Sequence, residues 1–415
     1  MIMKICLNMI VKNESHIIKE TLINITNYLN IQYYVICDTG STDNTKEIIQ
    51  LFFNEKKIDG EIFDIPWENF GKNRTIALEK AYKKTDYLFI FDADDKIHGE
   101  LKIPEYLDAD KYEFKFGNNF YYKRALLINN HIKWEFKGVL HEYLNNLEKI
   151  NKTELLYGDY YIESGRKGFR NKSINKYYED ALLLENAYII EEDISLKNRY
   201  AFYIAQSYKD CNKINESIKW YEKVLTLNNW EQEKYYSCIM LGNLYKNKDK
   251  NKSIYYYLKS IIYDKTRIEG IVYACIEYYN QKNYLLVHLL TNKFNKINRI
   301  NLQNKNTKLF IHLDLYNDQL DYYNSISSYY INEKENGYLS LKKILKNKII
   351  NNNQLFYSLR NIIFYKEQII NDLYFLDFYT DFINCINYLD NYKNDKIIQE
   401  NLLFLNEIRN NNFYK

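Results

Sequence analysis

The chain has 415 residues, with 57 Lys and Arg against 54 Asp and Glu and a formal net charge of +3. That length suits two or three domains with a sizeable core, and so small a charge gives no reason to expect nucleic acid or an anionic membrane as partner. The six cysteines (Cys6, Cys37, Cys211, Cys238, Cys275 and Cys385) are scattered without close pairs, which argues against a zinc or disulfide framework and for reduced thiols. No apolar run approaches the ~20 residues that span a bilayer, and the opening "MIMKICLNMIVKNE" reads as a strand rather than a leader. A soluble protein of a reducing compartment is expected, in the cytoplasm (host cytoplasm or virion, should the source be a virus). The heavy use of Ile, Asn, Lys and Tyr, with 44 tyrosines, suits an AT-rich coding genome.

In chain order, "KICLNMIV" is a strand, and "KNESHIIKETLINITNYL" carries Ile17, Ile18, Leu22 and Ile25 at helical spacing. "YYVICD" is a second strand ending at Asp38, followed by the turn "TGSTDNT" and the helix "KEIIQLFF", with Asn44 and Glu47 spaced as a capping box. "EIFDIP" is a third strand, "NRTIALEKAYKK" a helix and "DYLFIF" a fourth strand. Alternating strands and helices predict a parallel sheet, whose ligands gather at the carboxyl ends of the strands, where Asp38 and Asp92 stand.

Both prolines and nine of the twelve glycines lie at or before Gly168, so turns concentrate in the first half and the second half should be nearly all helix. That half repeats itself. "AQSY" at 205–208 and "GNLY" at 242–245 are offset by 37 residues, as are "WYEKVL" from Trp220 and "YLKSII" from Tyr257. "YACIEYY", ending at Tyr279, begins a third unit, and "YYNSISSYYINEKENGYLSLKKIL" reads as another helix pair. Periods in the thirties are those of tetratricopeptide-like solenoids. The Asn-rich "NKINRINLQNKNTK" reads as a loop.

The chemistry concentrates in "FIFDADD". Asp92 and Asp94, two apart at a strand end, can face one side. They suit a hard divalent cation bound jointly with phosphate oxygens, or equally a solvated turn. Set behind "LNMIVKNE", "DTGSTDNT" and "NFGKNR", the motif resembles family 2 glycosyltransferases with the GT-A fold, in the branch that carries C-terminal tetratricopeptide-like helices. "FYIAQSYKD" in the helical half agrees with that branch. The fold class implied is an α/β, Rossmann-like GT-A domain with a mostly parallel sheet (1–172), followed by an all-α helical-repeat domain (173–415).

The resemblance implies transfer of a sugar from a nucleotide-diphosphate donor, a UDP-sugar first, to an acceptor hydroxyl with inversion, using Mn²⁺ or Mg²⁺. Asp38 would contact the nucleoside, and Gly40 would allow the tight turn beside it. Arg74 would face the nucleotide. Asp94 is the leading metal ligand, with Asp92 at the ribose or a metal-bound water; Asp95 belongs to a turn or helix cap. Thr39 stands where many members have a second acid. "FKGVLHEYL" resembles the family's acceptor-side segment, so Glu142 becomes the candidate base and His141 a metal or diphosphate contact, their roles interchangeable. Trp134 is either a sugar platform or core. In "SGRKGFRNKS", Arg166 and Arg170, ahead of Lys167 and Lys172, are candidates to close over a diphosphate, the alternative being an ordinary linker. The helical repeats would dock a protein or glycan acceptor. A nucleotidyltransferase would want a glycine-rich basic loop where "VKNESH" stands, and a repeat scaffold with a decayed catalytic half is disfavoured by the intact Asp38, Arg74, Asp92, Asp94 and Glu142.

Overall fold

A computed structural model describes residues 3–294 and 308–412. By compactness the chain divides into two units, Met1–Glu233 with Lys308–Ile311, and Lys234–Thr307 with His312–Lys415.

The first unit opens with β1 (Ile5–Val11), α1 (Ile18–Tyr28), β2 (Tyr33–Asp38), α2 (Thr45–Lys56), β3 (Asp59–Asp64), α3 (Phe70–Ala81) and β4 (Tyr87–Ile90). It continues with β5 (Lys96–Lys102), β6 (Lys111–Phe116), β7 (Phe120–Asn129), β8 (Trp134–Lys137), β9 (Tyr143–Asn146), β10 (Thr153–Leu155) and β11 (Tyr157–Glu163). The main sheet runs β3-β2-β1-β4-β7-β6-β11-β5, with β10 beside β6, while β8 and β9 form a separate hairpin. Strands β1 to β4 pair in parallel; β7 is antiparallel to β4 and β6. The expected mostly parallel, Rossmann-like GT-A sheet is present.

Alternation along β1 divides the core between the two faces of the sheet. Ile5, Leu7, Met9 and Val11 pack with Ile18, Leu22, Ile25, Ile49 and Phe53 from α1 and α2. Cys6 faces the other side with Leu78 and Ala81 from α3. Trp134 lies in this second cluster, its indole N–H donated to the Asn129 carbonyl, so it is a core residue.

One expectation fails in detail. Helix α2 does begin after Asn44, but the Asn44 side chain makes no cap bond. Asp43 caps instead, its Oδ1 accepting from the Thr45 N–H at 3.1 Å and from the Thr45 hydroxyl. A carboxylate one residue earlier outcompetes the neutral amide for the first-turn donors.

Beyond β11 the chain turns helical: α4 (Lys176–Ile190), α5 (Ile194–Asp210), α6 (Ile214–Thr226), α7 (Glu231–Tyr245), α8 (Lys250–Tyr263), α9 (Glu269–Asn280), α10 (Tyr284–Phe294), α11 (Gln319–Tyr330) and α12 (Lys334–Asn347). Further helices follow up to residue 412. The repeat is visible in its bonds. Buried Ser217 on α6 donates to the Ala205 carbonyl of α5, and Ser253 on α8 donates to the Gly242 carbonyl of α7. The stretch 322–345 forms the expected pair, α11 and α12, whereas all of "NKINRINLQNKNTK" except Lys308 lies outside the described residues. All six cysteines are free, and burial pushes the Cys6 thiol up to about 12.

The second unit holds a fully buried ion pair. Arg267 donates to Glu269 at 2.6 Å, and the hydroxyls of Tyr235 and Tyr316 both donate to the other Glu269 oxygen, at 2.9 and 2.8 Å. Removing one partner strands a buried charge, at about 3–5 kcal/mol. Arg267→Met is therefore expected to lower the urea midpoint of the helical signal strongly. The double variant Arg267→Met/Glu269→Gln should recover part of the loss, because Gln still accepts from both tyrosines. A single variant as stable as the unaltered chain would contradict this.

Candidate active site

Strand β1 has β2 on one side and β4 on the other, so the chain reverses direction across the sheet at this point. Open α/β sheets form ligand crevices at the carboxyl ends of strands flanking such a point. Asp38 ends β2 in register with Val11, and Asp92 follows β4 two residues after Ile90. A cavity of about 530 Å³ lined by Met3, Tyr28, Gln32 and Tyr106 opens at the opposite, amino end of β1, away from these acids.

Asp38 is buried, and its Oδ1 accepts from the N–H groups of Gly40 at 2.8 Å and Ser41 at 2.7 Å. Gly40 has φ +102°, a left-handed conformation that glycine adopts without strain. Asp38 Oδ2 is buried with no hydrogen-bond partner among the described residues. Such an atom is costly unless a ligand supplies a donor.

Arg74 is the centre of the site. Its Nε donates to Glu142 Oε1 at 2.6 Å and its Nη2 to Asp92 Oδ1 at 2.5 Å. The second oxygen of Asp92 receives Arg124 Nη1, from β7, at 3.1 Å. Burial opposes ionisation of Asp92, but the two guanidinium groups outweigh it and hold this carboxyl well below its usual range. Arg124 also lies 3.6 Å from Asp95 Oδ2. Asp95 is buried, and its Oδ1 accepts from the Gly165 N–H at 3.0 Å. Burial, reinforced by the Asp92 charge, pushes Asp95 up to about 7. Asp95 thus closes the turn after β4 and anchors the 165–171 loop; it caps no helix.

Local packing explains how Arg74 and Glu142 meet. Asn73 fixes the entry to α3, its Oδ1 accepting from the N–H of Glu68 and of Asn69 while its Nδ2 donates to the Pro66 carbonyl. Phe70 N–H donates to the Val139 carbonyl, and Phe136 N–H donates to Thr75 Oγ1. Gly71 permits this approach, since a Cβ there would stand 2.3 Å from the Gly138 carbonyl oxygen.

Asp94 sits under the "SGRKGFRNKS" loop. Its Oδ2 accepts from the Gly168 N–H at 3.1 Å, and Glu14 Oε1 accepts from the next N–H, Phe169, at 3.1 Å. Burial and the Asp92 charge raise Asp94, and burial with the Asp94 charge pushes Glu14 up to about 7. Two crowded carboxylates that resist ionisation fit a divalent cation better than they fit each other. Asp92 would reach such a cation only by giving up a guanidinium. Among the described residues no three His, Cys, Asp or Glu side chains form a self-sufficient metal site, so a cation here would draw further ligands from a bound phosphate.

His141 adopts φ +54°, and its ring stacks on Tyr203 with centroids 4.0 Å apart and planes 9° apart. Although it keeps exposed surface, the dense surroundings and the charges of Arg199 and Arg170 push its imidazole down to about 3, so the ring is neutral. Arg170 lies on the 3-10 turn Phe169–Lys172, pairs with Asp180 and covers the Phe70 ring at 4.6 Å. Arg166 is exposed on the loop. The structure thus joins Arg74, Asp92 and Glu142 directly and sets Asp94 beside them. The sequence reading missed Glu14, Arg124, Arg199 and Tyr203; only "VKNE" and "FYIAQSYKD" had marked two of their segments.

Residues 6–178 match the family model described as Glycosyl transferase family 2. This part of the chain is a glycosyltransferase family 2 domain, followed by helices. Solved structures of S. aureus TarS are similar. TarS 1-349 in complex with UDP-GlcNAc is 13% identical, with 63% of this chain and 91% of that chain covered and a TM-score of 0.31. TarS 1-349 in complex with UDP is 15% identical, covering 67% and 92% with a TM-score of 0.28. The S. aureus TarS structure is 14% identical, covering 66% and 55% with a TM-score of 0.28. No curated protein sequence matches significantly.

Gly71→Ala tests the packing that builds the site. Forcing a Cβ against the Gly138 carbonyl should cost about 1–3 kcal/mol as overpacking, lower the melting temperature and weaken the Arg74–Glu142 contact. A variant melting with the unaltered chain would show that this close approach is not required.

Proposed function

We propose that the chain transfers a sugar from a nucleotide-diphosphate donor, a UDP-sugar first among them, to an acceptor hydroxyl, with inversion at the anomeric carbon. The observation that carries this reading is Arg74, which ties Asp92 at the donor end of the sheet to Glu142 on the turn after β8. The family 2 match over residues 6–178 supports the reaction class.

In this reading the unpartnered Oδ2 of Asp38 accepts a hydrogen bond from the nucleoside. Arg74 holds Glu142 through Oε1, which leaves Oε2 to take the acceptor hydroxyl proton. The acceptor oxygen bonds to the anomeric carbon as the bond from that carbon to the diphosphate oxygen breaks, and its electron pair leaves with the diphosphate. Arg166 and Arg170 meet the diphosphate charge, Arg170 exchanging Asp180 for it. His141, with its neutral ring, donates an N–H there. Mn²⁺ or Mg²⁺, held by Asp94 with Glu14 beside it, would neutralise the leaving group when bound. Asp94 Oδ2 accepts from the Gly168 N–H, so engaging a cation would require Asp94 to give up that bond and the 165–171 loop to rearrange. We place acceptor docking, protein or glycan, on the helical repeats, read as tetratricopeptide-like, and the protein in the cytoplasm. No described helix is long and apolar enough to cross a membrane.

A panel of nucleotide-sugars with Mn²⁺, scored by release of the nucleoside diphosphate, tests the reaction without a known acceptor. Mn²⁺ with UDP should raise the melting temperature, with about 2.7 kcal/mol of stabilisation at a hundredfold excess over Kd. Asp94→Asn should abolish the part of that shift that depends on Mn²⁺; an unaltered shift would sink the Asp94 assignment. Glu142→Gln keeps an acceptor for Arg74 but removes the base. Its kcat should fall by ~10²–10⁴-fold with donor affinity nearly unchanged, whereas loss of donor binding would move Glu142 into the nucleotide site.

A further inference from the structure

Helix α5 lays one face on the turn that carries His141 and Glu142. Leu196, Arg199, Tyr200 and Tyr203 stand at positions i, i+3, i+4 and i+7, a single helical stripe. Tyr200 hydroxyl accepts from the Val139 N–H at 3.1 Å. Arg199 Nε donates to the His141 carbonyl at 3.1 Å, and its Nη2 donates to the Tyr203 hydroxyl at 3.2 Å. Tyr203 is buried and stacks flat on the His141 ring. The guanidinium also lies over Tyr143, one residue past Glu142, at 5.4 Å, and pairs with buried Glu233 at 3.6 Å.

His141 is left-handed without being glycine. Such a conformation is strained for a residue with a Cβ and persists where neighbours over-determine it. Here one neighbour holds the carbonyl and another the ring. The following residue is Glu142, whose carboxylate reaches Arg74 from this turn. Relaxing His141 to ordinary backbone angles would swing Glu142 away from that contact.

We propose that Arg199 and Tyr203 are positioning residues of the transfer reaction, clamping His141 in its strained conformation so that Glu142 is presented to the acceptor. The inference rests on the transferase reading above. It gives "RYAFYIAQSYKD" a task in the chemistry besides packing between helices.

The test compares Tyr203→Leu, Tyr203→Phe and Arg199→Gln in the full chain, using the nucleotide-sugar that the panel selects. Three quantities are read: kcat, donor KM, and the proton resonances of selectively labelled histidines, of which the chain has six. Tyr203→Leu and Arg199→Gln are expected to lower kcat by ~10²-fold, the scale of a small misplacement of a reacting group, with donor KM unchanged. Tyr203→Leu should also shift the His141 ring protons downfield as the ring current is lost. Tyr203→Phe keeps the ring and should keep the resonance and most of the rate. If Tyr203→Leu does not fold, Arg199→Gln and Tyr203→Phe carry the comparison. Full kcat in Arg199→Gln or Tyr203→Leu overturns the clamp and leaves the transferase reading intact. No turnover by the unaltered chain with any nucleotide-sugar overturns that reading, and the clamp's catalytic role with it.

Discussion

Arg74 stands between two carboxylates delivered by different parts of the first unit, and the site exists only while it does. Asp92 arrives on the end of a parallel strand and Glu142 on a turn after a hairpin strand, so nothing in chain connectivity brings them together. Without a cation between them, two half-dry acids would repel or protonate. A guanidinium suits the place because it is planar, permanently charged and able to donate in two directions at once. At 7% exposure Arg74 is itself nearly dry, so its charge must be balanced within the fold, and Asp92 and Glu142 are the groups that balance it. Pairs of this kind give little net stability against an apolar alternative but are costly to break. What they contribute here is position.

The local ledger of charge has a consequence. Arg74 and Arg124 face Asp92, Glu142 and Asp95, two cations against three acids, with Asp94 and Glu14 crowded nearby. The excess appears where physics would put it. Asp92, with both guanidinium groups, stays ionised, while Asp95, Asp94 and Glu14 are pushed upward. Backbone N–H groups of Gly165, Gly168 and Phe169 supply partial positive charge to those three. The 165–171 loop therefore lies on the acids for an electrostatic reason, and Gly165 and Gly168 leave room for it, since a Cβ on either would stand within 3 Å of Asp94.

Much of this was legible in the sequence because it is local. Strand ends carrying Asp38 and Asp92, the left-handed Gly40 and the change from turn-rich to turn-poor chain follow from periodicity and punctuation. The partners of those residues were not legible. Arg124 sits in "YYKRALLIN", a β-strand in which one more basic residue signals nothing; only the antiparallel pairing of β7 with β4 brings it beside Asp92. Gly71 looks like an ordinary helix-start glycine until the approach of α3 to the β8 turn shows that it must lack bulk, and Gly138 like a loop glycine until its φ of +112° is seen. The capping of α2 by Asp43 rather than Asn44 was a choice between adjacent residues, decided by charge. Long-range pairing and close backbone approach leave no periodic trace.

The helical repeats were legible only faintly, and their packing shows why. A tetratricopeptide-like pattern is recognised by small and large apolar residues at fixed positions, yet many buried positions here are polar. In the second unit, His288 bonds Ser328, Thr291 bonds Asn324, and Asn324 bonds Ser340, linking α10, α11 and α12 through side-chain hydrogen bonds. Tyr235 and Tyr316 meet on Glu269 in the same way. A chain rich in Tyr, Asn and Ser buries most such residues by pairing them, Ser327 Oγ on α11 being an exception, because an unmatched buried hydroxyl or amide costs more than its bond returns. Hydrogen-bond pairing is more specific than apolar contact, so each helix interface constrains its own partners. The repeat survives in geometry, as the matching bonds of Ser217 and Ser253 show, while its sequence signature fades.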